Sequence, residues 1–147
     1  MSTNLSSKKC SIIIVVSIFN KRVVDNLLSG ALRAFSYYGG DDSKVLVFKV
    51  PGAFEIPGAI SQVQKYHNPD AIIGIGAVIK GETPHFDFIS AACANTISQL
   101  SVKKRIPITF GVLTTNTYKQ ALKRSQEKGR GLADTTVKSI DAYKAIK

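Results

Sequence analysis

Four strongly apolar runs alternate with longer segments of helical periodicity, and this alternation restricts the possible folds more than any other feature. The runs are CSIIIVVSIF, KVLVFKV, DAIIGIGAVI and IPITFGVLT. They are rich in β-branched residues, a pattern typical of strands buried on both faces. Strands that alternate with helices form βαβ units and therefore a parallel sheet. The sequence predicts a single-domain α/β fold, a doubly wound four-stranded parallel sheet with helices on both faces.

The segments between and after these runs predict five helices. The first begins after Asn20, a residue type favoured at the N-cap, and the second begins near Pro57. The third begins in PHFDFI, and Cys93 lies on its apolar side, where we expect the thiol to pack. Gly129 and Gly131 are expected to divide the C-terminal segment into two helices, TYKQALKRSQEK and LADTTVKSIDAYKAIK. The residues predicted to face inward from the last helix are Ala133, Val137, Ile140 and Tyr143.

Length and composition indicate one globular domain. The chain has 147 residues, and 44% of them are hydrophobic, which is enough for a single core. Residues 1–9 are polar and predicted to be flexible, so the domain is expected to span residues 10–147. The longest apolar run, SIIIVVSIF, is far shorter than the ~20 residues of a membrane-spanning helix, and no small-residue cleavage site follows it. We therefore predict a cytoplasmic protein with no membrane partner.

The charge balance is strongly basic. The formal net charge is +10 at pH 7, from 20 Lys and Arg against 10 Asp and Glu. Such a surplus can serve nucleic-acid binding, attraction of an anionic small substrate, or only solubility. The basic residues are scattered and form no stripe interleaved with aromatic residues, so no nucleic-acid partner is predicted. The two isolated cysteines, Cys10 and Cys93, indicate neither a disulfide framework nor a metal site.

Polar and turn-forming residues follow each predicted strand. The sequences at the strand ends are IFN, KVPGAFE, AVIKGETPH and TFGVLTT. In open α/β sheets, ligands bind beyond the carboxyl ends of the strands. We therefore expect these residues to share one edge of the sheet and to form the functional site there.

The stretch KGETPH combines a possible anion site with a histidine. The amides of Glu82 and Thr83 precede a predicted helix, and helix N-termini attract anions such as phosphate. The alternative is that Thr83 and Pro84 only cap and begin the helix. His85 can transfer protons near neutral pH, or it is a structural or exposed histidine. This stretch alone does not decide between the alternatives.

Three further side chains have two interpretations each. Phe19 can stack on a planar heterocycle or belong to the core. Glu55 can accept hydrogen bonds from sugar hydroxyls or stabilise the start of a helix. Arg124 can bind phosphate through its forked donors, or it lies on a solvated helix face among lysines. The sequence contains no Walker motif, no nucleophilic triad order and no convincing set of metal ligands.

Several of these stretches, taken in their order along the chain, resemble the 6,7-dimethyl-8-ribityllumazine synthase family. They are VPGAFEIP, GAVIKGETPHFDFI and PITFGVLTT, with IFN upstream and an arginine downstream. The resemblance implies a flavodoxin-like sheet and a transferase of riboflavin biosynthesis. In that reaction, 5-amino-6-(D-ribitylamino)uracil and 3,4-dihydroxy-2-butanone 4-phosphate condense through an imine and give 6,7-dimethyl-8-ribityllumazine, phosphate and water. It implies no cofactor and no metal.

The resemblance also implies a role for each matching residue. Phe19 is expected to stack on the pyrimidine, and His85 is expected to transfer protons. Glu82 and Thr83 would offer amides to the phosphate, Thr83 would add its hydroxyl, and Arg124 would grip the same group. The residues implied to contact the pyrimidine and its ribityl chain are Phe19, Ala53, Phe54, Glu55, Ala77, Val78, Ile79 and Phe110.

The implied partners are the small-molecule substrates and further copies of the chain. Phe110 and Arg124 are expected to reach the site across a subunit boundary, in a pentamer or in a sixty-subunit shell of pentamers. Riboflavin synthase is a further implied partner. Two competing hypotheses are an inactive flavodoxin-like protein that binds ligands or forms shells, and the archaeal type of riboflavin synthase. The stretch GETPHFDF and Arg124 favour the synthase, because the archaeal enzyme has no use for a phosphate site.

The chain departs from the family pattern at several positions. Relatives often have arginine where Lys80 stands, and Pro84 offers no amide of its own. After Arg124, many relatives have a longer segment that ends in Asn-Lys-Gly, whereas this chain has SQEKGRG. Lys128 and Arg130 are the two candidates for the place of the usual lysine. The shortened segment lies where the last two predicted helices join, a region that bears on shell assembly.

Overall fold

The computed structural model describes residues 10–147 and has the predicted architecture. The predicted flexible segment 1–9 lies outside these residues. The strands are β1 (Ile12–Ser17), β2 (Val45–Val50), β3 (Ala71–Ile79) and β4 (Ile108–Thr115). The helices are α1 (Lys21–Tyr37), α2 (Ile56–Tyr66), α3 (His85–Lys104) and α4 (Tyr118–Ile146). Neighbouring strands all pair in parallel, in the order β2-β1-β3-β4.

The sheet separates two hydrophobic cores. Successive side chains of a strand point to opposite faces, and in β1 Ile12 and Ile14 join one core while Ile13 and Val15 join the other. The first core is closed by α1 and α4, and the second by α2 and α3. This arrangement confirms the doubly wound sheet and explains why β1 and β3 are apolar at successive positions.

β1 and β3 are neighbours, but the helices that follow them pack on opposite faces of the sheet. A crevice opens at such a switch point in doubly wound folds. The last pair of the β1–β3 ladder is Val16 with Ile75, so residues 76–79 extend beyond β1 while still pairing with β4. Because backbone groups alternate in direction along a strand, Ala77 and Ile79 direct their amide and carbonyl groups into the gap that β1 leaves.

The C-terminal segment forms one continuous helix, so the predicted division at Gly129 and Gly131 is wrong. Gly129 is buried where α4 crosses α1. A Cβ at this position would lie 2.5 Å from the carbonyl oxygen of Leu27 and 2.8 Å from the Cα of Gly30. The glycine therefore serves close helix packing rather than a helix break, and the sequence of α4 alone cannot distinguish these two uses.

α4 begins with a capping box. At its start, the Thr117 hydroxyl accepts a hydrogen bond from the Gln120 amide at 3.1 Å, and the Gln120 side chain accepts one from the Thr117 amide at 3.2 Å. This capping box satisfies two amides that a helix end leaves without partners.

Towards the C-terminal end of α4, Ala133, Val137 and Ile140 are buried as predicted. Tyr143 is not, because it lies in a shallow hollow at the amino edge of the sheet.

β2 and α3 leave apolar surface uncovered. β2 pairs only with β1, and Leu46, Val47 and Phe48 are exposed although the strand is as apolar as its neighbours. On α3 only Cys93 and Ile97 are buried, and Phe88 points outward. Exposed apolar surface of this kind marks an interaction site, and a strand edge without a partner is a site for pairing. None of the described helices combines the length and the apolar character that crossing a membrane requires.

Candidate active site

A crevice of about 600 Å³ opens at the carboxyl edge of the sheet, between the ends of β1 and β3 and the turn that follows β2. It brings together eight of the twelve residues that the sequence predicts for the site. These eight are Phe19, Ala53, Phe54, Glu55, Ala77, Val78, Ile79 and His85. Asn20, Gly52 and Ile89 also line it; the first two belong to strand-end stretches expected at this edge, but the sequence assigned none of the three a contact with a ligand.

Phe19 forms one wall of the crevice immediately after β1. The amide of Phe19 donates a hydrogen bond to the carbonyl oxygen of Pro51 at 3.1 Å, and the amide of Ile18 donates one to Val50 at 2.8 Å. These bonds extend the β1–β2 ladder and fix the segment. The Phe19 ring is 70% exposed, so the interpretation as a core residue is wrong. An exposed, fixed aromatic ring is suited to stacking against a planar ligand.

Asn20 occupies the predicted N-cap position of α1, but its side chain does not cap the helix. The side-chain nitrogen Nδ2 donates to the carbonyl oxygen of Ala77 at 3.1 Å and so connects the ends of β1 and β3. The backbone is left-handed, with φ at 59°, a conformation that asparagine tolerates better than most residues. The sequence offered one signal for this role, an asparagine directly at the end of a buried strand.

A single 3-10 turn, Ala53–Glu55, supplies the opposite wall between β2 and α2. Ala53 is buried, and its carbonyl oxygen accepts a hydrogen bond from the Sγ of Cys93 at 3.6 Å. Phe54 and Glu55 are exposed, and the Glu55 carboxylate makes no ion pair with any residue in the range 10–147. The turn therefore presents one aromatic ring and one unneutralised carboxylate at the crevice.

The floor is the end of β3, where Ala77 and Ile79 direct backbone groups into the gap beyond β1. The carbonyl of Ala77 already accepts the Asn20 amide. The Ala77 amide and both backbone groups of Ile79 are then positioned for hydrogen bonds to a ligand. Such a floor suits the edge of a heterocycle that carries both donors and acceptors.

His85 is the first residue of α3 and lies at the margin of the crevice. Its backbone amide donates to the hydroxyl of Thr83 at 3.4 Å, so this hydroxyl helps to begin the helix. Glu82 and Thr83 are exposed in the bend between β3 and α3, beside the crevice but not in its lining. Their amides lie at the positive end of α3, which is favourable for an anion.

Phe110 and Arg124 do not join this crevice within the same chain. They line a second hollow, of about 490 Å³, between β4 and α4. The expectation that Phe110 lies at the carboxyl end of its strand is wrong, because it pairs with Gly74 near the start of β4. Lys128 lines the same hollow as Arg124, whereas Arg130 lies in another hollow beside α1. Of the two candidates for the usual lysine of the family, Lys128 is thus the one beside Arg124.

The chemistry of the crevice follows from its lining. An exposed ring, open strand backbone and a carboxylate suit a flat, hydrogen-bonding heterocycle with a hydroxylated chain. An imidazole at the margin can exchange protons with it. Within residues 10–147, no group of three or more His, Cys, Asp and Glu side chains is placed to hold a metal ion.

Comparison with known proteins adds to this geometry. The sequence model of the 6,7-dimethyl-8-ribityllumazine synthase family matches residues 9–144. Proteins named 6,7-dimethyl-8-ribityllumazine synthase from two strains of Thermus thermophilus are each 39% identical to this chain over 150 aligned residues. The alignments cover 99% of this chain and 96% of each relative.

Proposed function

The chain belongs to the 6,7-dimethyl-8-ribityllumazine synthase family of transferases, and we propose that it carries out its reaction in the crevice at the carboxyl edge of the sheet. The reaction condenses 5-amino-6-(D-ribitylamino)uracil with 3,4-dihydroxy-2-butanone 4-phosphate to give 6,7-dimethyl-8-ribityllumazine. One observation carries the proposed location: eight residues predicted for the site surround a single opening of about 600 Å³.

The pyrimidine occupies the space between Phe19 and the end of β3. Its face stacks on the exposed Phe19 ring, and its polar edge hydrogen bonds to the backbone of Ala77 and Ile79. Its ribityl chain extends along the 3-10 turn, where Glu55 accepts hydrogen bonds from the hydroxyls. Ala53, Phe54 and Val78 complete the surface around the ring and chain. The exposure of Phe19 and the absence of an ion pair at Glu55 among the described residues support these assignments.

His85 moves protons between the reacting groups. The pyrimidine amine adds to the ketone carbonyl, and loss of water gives the imine. Phosphate is then eliminated with loss of a proton from the neighbouring hydroxyl-bearing carbon, and the resulting enol tautomerises to a second carbonyl. The ribityl-bearing nitrogen attacks this carbonyl and closes the ring with loss of water. Each addition and elimination needs a proton removed or supplied, which a histidine does efficiently near neutral pH. The place of His85 at the crevice margin, next to the Glu82–Thr83 bend, supports its action between ring and phosphate.

The phosphate binds at the start of α3, and a second copy of the chain completes this phosphate site. Glu82 and Thr83 contribute amides, Thr83 adds its hydroxyl, and Arg124 of the neighbouring copy contributes the guanidinium. Phe110 of that copy contacts the pyrimidine. Two observations support a shared site. Phe110 and Arg124 lie in a different hollow of their own chain, and β2 and α3 expose apolar surface that a neighbour would cover.

Mixing two impaired variants tests the shared site. At ketone phosphate concentrations near the parent KM, we expect His85→Ala and Arg124→Ala each to have only a small fraction of the parent turnover as pure proteins. When the two are assembled together in equal amounts, about a quarter of the sites in a ring of copies take an intact His85 and an intact Arg124 from different chains. Activity, followed by the absorbance and fluorescence of the lumazine, should recover to that fraction. Recovery no greater than the sum of the two pure variants would falsify the shared site.

Assembly and location extend the proposal. We expect a homo-oligomer, and the family resemblance implies a closed pentameric ring, alone or as the unit of a larger shell. Sedimentation or light scattering distinguishes this pentamer from a sixty-subunit shell. Riboflavin synthase as a partner and a cytoplasmic location stay predictions from the sequence and its resemblance.

A further inference from the structure

One thiol connects the helix that carries His85 to the turn that carries Phe54 and Glu55. Cys93 lies on α3, two helical turns beyond His85, and is 1% exposed. Its Sγ donates to the carbonyl oxygen of Ala53 at 3.6 Å, a distance within the range for hydrogen bonds of sulfur. Among the side chains of residues 10–147, only that of Cys93 hydrogen bonds to the backbone of this turn.

The turn has little freedom to move on the sheet beneath it. Gly76 of β3 lies directly below, and a Cβ there would be 2.9 Å from the Cδ1 of Ile56 and 3.6 Å from the Cβ of Ala53. Because the turn is packed this closely on β3, the hydrogen bond from Cys93 sets how α3, and with it His85, lies relative to the turn.

The other buried contacts of α3 lie further from the crevice and do not replace the hydrogen bond between Cys93 and Ala53. Ile97 is the other fully buried side chain of the helix, one turn further from the site. At the far end, the Gln64 side chain of α2 donates to the carbonyl oxygen of Leu100 at 3.0 Å. Near the crevice, α3 also packs on the second core through the half-buried Phe86 and Ile89, and the thiol of Cys93 is its polar contact with the turn.

We propose that Cys93 is a positioning residue for the pyrimidine: its thiol holds the Ala53 carbonyl and so keeps Phe54 and Glu55 at a fixed distance from His85. The inference rests on the proposed placement of the pyrimidine in the crevice. Burial raises the pKa of the Cys93 thiol to about 11, so the proton needed for donation stays on sulfur at neutral pH. Cys93 itself is buried and touches no substrate.

Two substitutions separate the hydrogen bond from the packing of the side chain. Cys93→Val fills a similar volume without a donor, and Cys93→Ser keeps a donor in a smaller side chain. We expect Cys93→Val to raise the KM for the pyrimidine about threefold to tenfold, as loss of one hydrogen bond allows, with an unchanged KM for the ketone phosphate. Cys93→Ser should keep the pyrimidine KM within about twofold of the parent value.

Thermal unfolding of the same variants gives a readout that distinguishes positioning from stability. Valine fills the apolar site and serine leaves a gap, so we expect Cys93→Val to have the higher melting temperature and yet the weaker pyrimidine binding. If the variant with the lower melting temperature has the higher pyrimidine KM, the positioning role is overturned. Equal KM values for the two variants overturn it as well.

Glu55→Gln serves as the control for the proposed site. It is exposed, lines the crevice and should raise the pyrimidine KM whatever Cys93 does. If Glu55→Gln raises that KM and Cys93→Val does not, the positioning role alone is refuted. If neither variant changes it, the placement of the pyrimidine in the crevice is refuted with it.

Discussion

The close contact of α1 with α4 predicts opposite effects for one substitution at two glycines of the same helix. At Gly131 a Cβ would meet no atom within 4 Å. Alanine is the better helix former by about 1 kcal/mol, so Gly131→Ala should raise the free energy of unfolding by about 0.5–1 kcal/mol. At Gly129 the same methyl group would lie 2.5 Å from the Leu27 carbonyl oxygen and 2.8 Å from the Gly30 Cα.

The magnitude at Gly129 follows from what the methyl group meets. Both close atoms belong to the backbone of α1, which cannot rotate away as a side chain can, so the two helices must separate. Overpacking of a core costs about 1–3 kcal/mol, and we take about 3 kcal/mol here because only backbone can yield. Subtracting the gain of about 1 kcal/mol in helix propensity leaves a net loss of about 2 kcal/mol. The two variants should therefore differ by about 3 kcal/mol.

Denaturant unfolding followed by circular dichroism measures this difference. The variants and the parent must be compared at one protomer concentration, because the proposed assembly would contribute to the apparent stability. Equal stabilisation by both substitutions would show that α1 and α4 do not approach closely at Gly129. Equal destabilisation would show that Gly131 lies at a break in the helix, as the sequence predicts.

Substitutions at four other residues test the site and the starts of two helices, and one of them has a matched control. His85→Ala should lower kcat about 100-fold or more in the lumazine assay and leave unfolding unchanged, since the side chain is exposed and moves protons. Arg124→Ala should raise the KM for the ketone phosphate far more than that for the pyrimidine, measured by varying each substrate in turn. Asn20→Gly should be more stable than Asn20→Ala by about 1 kcal/mol in denaturant unfolding, because only alanine strains a backbone with positive φ. Thr117→Ala should lower the unfolding free energy by about 1 kcal/mol, with the exposed Thr135→Ala of the same helix as control.

Each of these expectations has a contrary outcome. An unchanged rate in His85→Ala removes its proton-transfer role, and equal weakening of both substrates in Arg124→Ala removes its assignment to the phosphate. Equal stability of the two Asn20 variants argues against the left-handed backbone. A loss in Thr135→Ala as large as that in Thr117→Ala argues against the capping box.

The sequence predicts the sheet well because strands buried on both faces have apolar residues at successive positions. The runs that form β1 and β3 are apolar at successive positions, and both are buried. The run of β2 looks similar but is exposed, because coverage of an edge strand depends on what packs beside it and not on its own residues. The same limit explains Gly129, whose role depends on α1, a segment about a hundred positions away in the chain.

The site is predictable to the extent that it depends on strand ends. Phe19, Glu55 and His85 each follow a strand or precede a helix at one edge, so topology alone brings them together. The bridging role of Asn20 was missed, since an N-cap and a side chain that joins two strands require the same residue at the same place. The separate hollow of Arg124 depends on how α4 packs on β4, for which the sequence of α4 gives no direct signal.

The exposed apolar surface of β2 affects how a newly synthesised protomer behaves before it assembles. If the protein forms the proposed homo-oligomer, a newly made protomer exposes the apolar side chains of this edge strand until it meets its neighbours. When protomers are scarce, or are made faster than they assemble, non-native pairing of β2 with other chains competes with correct assembly. The yield of usable protein should therefore depend on expression rate and temperature, even for variants whose catalytic groups are untouched.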